Sequence, residues 1–217
     1  MGLKRSWKII FIGLVLILIV VILTHASDRT YQGRVIDAET SQPIEGAVVV
    51  AYWWKEKGAF LGSMERLKDV KETLTDRDGK WSITGPESDK KKIVRSMLSV
   101  IAIVWAIRDP GFIIFKPGYC SWPNGFSMDA CKDKIRPDRT DQIMEGKTVE
   151  FELPKLTSRE DRLRAFRLGP IRSSSDDPKI KKKFLKKQLE FLRLLDEESR
   201  NLGLSEYKIY EELKDEK

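Results

Sequence analysis

Beyond its first residues this chain has no histidine. The one imidazole is His25, at the edge of an N-terminal apolar run. A Ser-His-Asp or Cys-His system cannot be assembled in the rest of the chain, because each needs an imidazole to take the nucleophile's proton. The usual histidine-bearing zinc hydrolase site is excluded on the same ground. Cysteine is scarce too: Cys120 and Cys131 are the two present. Two thiolates without a nearby histidine cannot complete a zinc shell. No Gly-rich phosphate loop occurs,. No cysteine directly follows the apolar run, which excludes lipid attachment to an N-terminal cysteine. No cofactor is implied. Carboxylates remain. Asp76 and Asp78 form half of a calcium loop, Asp-x-Asp-Gly, but the later ligands and the closing Glu are missing, and a turn accounts for both,. A carboxylate-only hydrolase would need two acids roughly 5 to 9 Å apart across a cleft.

What is present begins with that apolar run. Lys4, Arg5 and Lys8 precede an unbroken stretch from Ile9 to Leu23. A basic start followed by an apolar core is an export signal. Thr24-His25-Ala26 follows, with small residues placed for cleavage after Ala26. The alternative is retention as an anchor, since Trp7 to Thr24 has about the minimum length for crossing a bilayer as a helix. Both readings put the remaining chain outside the cytoplasm, because the basic end stays inside. Net charge is +7, and three of those charges precede the apolar run. The excess left is too modest to argue for nucleic acid, which calls for a concentrated basic face. The apolar fraction of 41% suffices for a packed core,.

The stretch from Tyr31 to Tyr52 organises the next part. Arg29 to Asp37 and Ala47 to Trp53 are rich in β-branched and aromatic residues and flank a connection containing Pro43 and Gly46. They read as two strands and a loop. Val48-Val49-Val50-Ala51 is apolar on both faces, which places this strand mid-sheet,. Trp53 to Gly58 reads as a strand running into a loop, and the charged stretch Leu61 to Lys71 as a short helix. Asp78-Gly79, between Thr73-Leu74-Thr75 and Lys80 to Thr84, is a strong hairpin signal, because glycine tolerates the positive φ such a turn needs,. Phe112 to Phe115 is a strand after the turn at Asp109-Pro110-Gly111. Thr148 to Leu153 alternates cleanly, with Val149, Phe151 and Leu153 facing the core, and Pro154 ends it,.

Gly33 and Val35, then Thr40, Pro43, Gly46, Ala47 and Val49, then Thr75, Asp76, Gly79, Trp81 and Ile83, and finally Gly118 and Tyr119 follow one motif order. In that order the chain from Arg29 to about Leu153 resembles the carboxypeptidase regulatory-like domain. The resemblance implies a mainly β fold, an antiparallel transthyretin-like β-sandwich over residues 29–154, and a module of non-catalytic kind. Transthyretin-like hydrolases of the uric-acid pathway depend on histidines, so that relative is excluded as an enzyme. An apolar segment near 93–107 interrupts the pattern. It reads as a buried strand or helix docked on the sheets, with a second membrane crossing or an exposed contact patch as alternatives.

Cys120 and Cys131 bracket a loop containing Pro123-Asn124-Gly125. In an oxidising compartment an even pair at this spacing reads as a disulfide; two buried thiols are the alternative. Lys132 to Gly146 is polar and irregular in pattern. Residues 157–217 read as an α-helical extension. Thr157 and Glu160 offer a capping box for a short helix to Leu168, stopped by Gly169-Pro170,. Asp177-Pro178 opens a second helix, read to about Leu202, with Asn201 and Gly203 at its end,. Phe184, Leu185, Leu189, Leu192 and Leu195 form its apolar stripe, for packing on the sheets or docking another protein,.

These features describe an exported module, tethered at the inner membrane and facing the periplasm, or free in the periplasm if cut after Ala26. The look of the export segment and the resemblance point to a bacterial envelope. The module would support or contact an envelope protein without catalysis. The alternative is a glycan- or wall-binding module. Trp53, Trp54 and Trp122, with Tyr52 and Tyr119, would stack on a flat ligand, or else fill the core. Lys179, Lys181, Lys182, Lys183, Lys186 and Lys187 would meet an anionic surface, or else form a solvated face.

Overall fold

The computed structural model describes residues 28–59, 62–86, 105–123, 131, 140–204 and 208–214. The leader over residues 1–26 lies outside them, as does the apolar segment before Trp105. The described chain is mainly sheet. Its strands are β1 (Asp28–Asp37), β2 (Val48–Ala59), β3 (Gly62–Leu74), β4 (Lys80–Pro86), β5 (Trp105–Ile107), β6 (Gly111–Phe115) and β7 (Val149–Leu153). Its helices are α1 (Thr140–Met144), α2 (Arg159–Ala165), α3 (Pro178–Leu185), α4 (Leu189–Asn201) and α5 (Lys208–Lys214).

Two sheets form. One runs β4-β1-β7, with β1 antiparallel to β4 and parallel to β7. In the other, β2 pairs antiparallel with β3 on one side. On its other side β2 pairs with β6 along Val48 to Tyr52 and with β5 along Lys55 to Lys57. The Arg108 amide donates to the Trp54 carbonyl at 2.8 Å and carries that ladder across the gap. The sheets share one core. Tyr31, Val35, Trp81, Ile83, Phe151 and Leu153 come from the first sheet, and Val49, Ala51, Trp53, Phe112 and Ile114 from the second. Ring contacts link Trp53 to Tyr31, Tyr31 to Phe112, Phe112 to Trp81, Trp81 to Phe151 and Phe151 to Trp122, at centroid distances from 4.8 to 6.2 Å. Gly85 makes room for this packing: a Cβ there would lie 2.2 Å from the Trp53 ring.

The apolar run of β2 has a simple cause. Its side chains alternate across the sheet. Val49, Ala51 and Trp53 enter the shared core, while Val48 and Val50 point the other way. There they join Leu67, Val70, Ile113 and Phe115 under Leu168, Phe184, Phe191, Leu194 and Leu195 of the C-terminal segment. The helices thus cover the outer face of the second sheet. The outer face of the first sheet is polar: Thr30 meets Thr84, Gln32 meets Thr148 and Arg34 meets Glu150 across neighbouring strands,.

Four sequence expectations are corrected. Leu61 to Lys71 is not a helix but belongs to β3 from Gly62 on, because β2 supplies a pairing partner along nearly its whole length. The turn at Asp78-Gly79 does not close a two-stranded hairpin. β3 and β4 lie in different sheets, so it is a corner between layers. Asp76 Oδ1 accepts from the Asp78 and Lys80 amides, and Gly79 holds φ +73°. The segment up to Gly146 contains a short helix, α1, whose Ile143 enters the core. Finally, the long C-terminal helix is two: it breaks at Lys186 to Gln188. The buried Gln188 side chain accepts from the Ile171 amide and donates to the Ile171 and Phe184 carbonyls. Asp177 caps α3 as expected, whereas α2 is capped by Ser158, one residue later than the Thr157 box.

Candidate functional site

Chemistry in a histidine-free body would fall to carboxylates, tyrosines and lysines, so their placement decides what the molecule can do. Asp37, at the end of β1, is nearly buried, and Tyr119 Oη donates to its Oδ2 at 3.2 Å. Its Oδ1 accepts from the Glu39 and Thr40 amides at 2.8 and 2.9 Å. Burial opposes ionisation here, but the Thr40 and Glu39 amides and the Tyr119 hydroxyl outweigh it and hold the carboxyl below its ordinary value,. Burial, and then the anionic Asp37, push the Tyr119 phenol up. A depressed acid beside an elevated phenol favours neither proton uptake nor release near neutrality. The pair fixes the turn that starts at Asp37.

Glu72 of β3 is the carboxylate that the structure adds to the picture. Its two oxygens accept from the Glu190 and Phe191 amides, both at 2.9 Å, at the start of α4. The residue before that helix, Gln188, provides no side-chain cap of its own, so the sheet caps the helix,. Burial pushes the Glu72 carboxyl up, the two amides pull it down, and the neighbouring Glu190 charge adds to the rise. Nothing in Lys71-Glu72-Thr73 signals this role; it exists only because α4 is brought over β3. Glu198 and Arg162 form a second engaged pair, with Arg162 Nε and Nη2 on the two oxygens of Glu198 at 2.9 and 2.5 Å. The Glu198 side chain is only 4% exposed, and its bond keeps the Arg162 guanidinium more basic than usual. Asp196, also buried, pairs with Arg200.

The aromatic residues expected to stack on a ligand are placed otherwise. Trp53 is fully buried in the shared core, and Trp122 is buried against Phe151. Neither ring has a face free for a ligand, because both complete the interior between the sheets. Trp54 and Tyr52 are half-buried against the C-terminal cover. Tyr119 packs on the edge of the core. Cys120 and Cys131 are joined in a disulfide and buried together with Leu156 and Ala165, so the bridge fastens the root of the helical extension.

The lysine group divides. Lys187 is ion-paired with Asp69 of β3 and so belongs to the packing of α3 on the sheet. Lys179, Lys181, Lys182, Lys183 and Lys186 are exposed. At helical spacing Lys179, Lys182, Lys183 and Lys186 share one face, opposite the buried Phe184, and Lys181 lies off it,. Ile180, beside this stripe, is 39% exposed. No acid stands between Pro178 and Lys187.

Among the described residues no group of His, Cys, Asp and Glu is placed to hold a metal ion, and no helix is long and apolar enough to cross a membrane. No family model matches the chain, and no curated protein matches it. Among solved structures it is similar to a 9R-lipoxygenase from Cyanothece PCC8801, at 11% identity and a TM-score of 0.24. That alignment covers 81% of this chain and 25% of the lipoxygenase, and a likeness so slight carries no functional argument.

Proposed function

We propose that the chain is an exported, membrane-tethered β-sandwich module of transthyretin-like type, which supports or contacts a protein of the cell envelope and performs no catalysis. The observation that carries this reading is the join between leader and body. The basic, apolar N-terminal run ends at Leu23, and β1 begins at Asp28, so hardly any linker separates the two. The motif order shared with carboxypeptidase regulatory-like domains and the facing of two sheets over one core support the fold half of the proposal. The lack of an imidazole beyond His25, and the structural engagement of Asp37, Glu72, Asp196 and Glu198, support the rest. The burial of Trp53 and Trp122 removes the main support for a glycan-stacking surface.

Two measurements test the proposal. Washing membranes with alkaline carbonate should leave the chain in the pellet; release as a species shortened at Ala26 would contradict the tether. Crosslinking in intact envelopes should capture a repeated protein partner. A chain that captures none, at any crosslinker length, would contradict the contact role.

A further inference from the structure

Several contacts together fix which end of the body α3 occupies. β1 enters the body at Asp28, opposite Pro86, and leaves at Asp37. Gly85 lies against Trp53, so the Asp28 end of the first sheet is level with Trp53 and Trp54 in the second. Lys187, just after α3, pairs with Asp69, the cross-strand neighbour of Trp53. Ser174, just before α3, donates to the carbonyl of Glu65, which lies opposite Glu56 and so beyond Trp54. α3 therefore lies along the end of the body at which the chain arrives from its N-terminal apolar segment.

Charge is distributed to match. At that end the stripe of Lys179, Lys182, Lys183 and Lys186 is exposed, and the nearby acids Glu56 and Glu65 are paired with Arg108. The opposite end, around the Asp37 and Gly79 turns, is of mixed charge: Glu39, Glu45, Asp76 and Asp78 are exposed there beside Arg77 and Lys80, which pair with Glu45 and Asp78. We propose that the lysine stripe of α3 rests on anionic phospholipid headgroups of the membrane that holds the N-terminal segment. The inference builds on the tethered reading above, since a tether keeps the stripe within reach of the surface. Lysine ammonium groups are hydrated point charges on flexible stems, suited to a diffuse layer of headgroups more than to one oriented anion. The exposed Ile180 beside them suits the boundary between headgroups and acyl chains,. The mixed charges of the opposite end give it no comparable attraction to the same surface, so the stripe orients the body.

The test uses the full chain in vesicles of neutral phosphatidylcholine and in vesicles that also contain phosphatidylglycerol. A fluorophore is attached through Ile180→Cys, a selective position because both native cysteines are bridged, and is read with a lipid-borne quencher. Quenching should be strong in the anionic vesicles, weak in the neutral ones, and abolished near 1 M salt, where the Debye length is about 3 Å. Each lysine near an anionic surface strengthens contact roughly fivefold. Lys179→Gln with Lys183→Gln should thus lower the ratio of docked to undocked body about 25-fold. Lys80→Gln with Lys155→Gln removes the same charge away from the stripe and should leave that ratio unchanged. Equal quenching in the two lipids, or equal effects of the two variant pairs, would overturn the inference. Loss of the chain from neutral vesicles on washing would instead contradict the tether. In that case the inference still requires the released chain to sediment with anionic vesicles alone, and its failure to do so would overturn the inference as well.

Discussion

Glu72 gives the sharpest energetic handle on the helical cover. In Glu72→Ala the Glu190 and Phe191 amides at the start of α4 lose their acceptors, and Gln188 has no side chain in place to replace them. Loss of a helix cap destabilises by about 0.5 to 2 kcal/mol, and here two amides lose their acceptors at once. An expected total of about 2 kcal/mol corresponds to a fall in melting temperature of about 4 to 8 °C for a chain of this size. Glu72→Gln behaves differently. It keeps one acceptor and removes a charge that burial disfavours, so it should stay within about 1 kcal/mol of the parent. The pH dependence has a definite sign. Because the Glu72 carboxyl is raised in the folded chain, the folded state binds more protons than the unfolded one just above the ordinary glutamate value. The contribution of Glu72 is then fully present below that ordinary value and is lost as pH rises through the raised one. Glu72→Gln should remove this slope. Urea unfolding followed by tryptophan fluorescence at several pH values measures all three effects. A Glu72→Ala variant as stable as the parent, or a Glu72→Gln variant as damaged as Glu72→Ala, would refute the idea that the sheet caps the helix.

Three further outcomes follow from the packing. Arg162→Ala leaves Glu198 buried without its charge partner and should destabilise by about 3 kcal/mol, with Glu198→Gln in the same background restoring part of the loss in a double-mutant cycle,. Removing the bridge through Cys120→Ser and Cys131→Ser should cost roughly 3 kcal/mol by thermal or urea unfolding, and should raise hydrogen exchange in α2, because Leu156 and Ala165 pack against the two cysteines,. Gly79→Ala should destabilise by about 2 kcal/mol in the same assays: its φ of +73° disfavours a side chain, and the new Cβ would lie 2.3 Å from the Val35 carbonyl oxygen,.

Local pattern revealed whatever depends on one strand and its two faces. Val48 to Ala51 reads as a strand covered on both sides, and it is, with the shared core below and the C-terminal helices above. Val149 to Leu153 alternates in sequence as it does in burial. Asp177-Pro178 marks a helix start correctly because cap and proline act within a few residues. The misreadings concern interactions between distant segments. β3 carries charges at six of its thirteen positions and becomes a strand through its pairing with β2. The turn at Asp78-Gly79 has the same residues whether the next strand joins the same sheet or the facing one. The break before α4 has neither glycine nor proline; it follows from the burial of Gln188 against Ile171. For the tryptophans, composition could not separate a ligand platform from a core, and for Trp53 and Trp122 the interior between two sheets decided it.

The proposed export places a sheet body, tethered by its N-terminal segment, outside the cytoplasm. A cleavable tag fused after Lys217 tests it directly, because β1 and the C-terminal cover belong to one packed body. Protease added to intact spheroplasts should remove the tag while a cytoplasmic marker stays whole. A tag that is cut only after the membrane is broken would contradict the account.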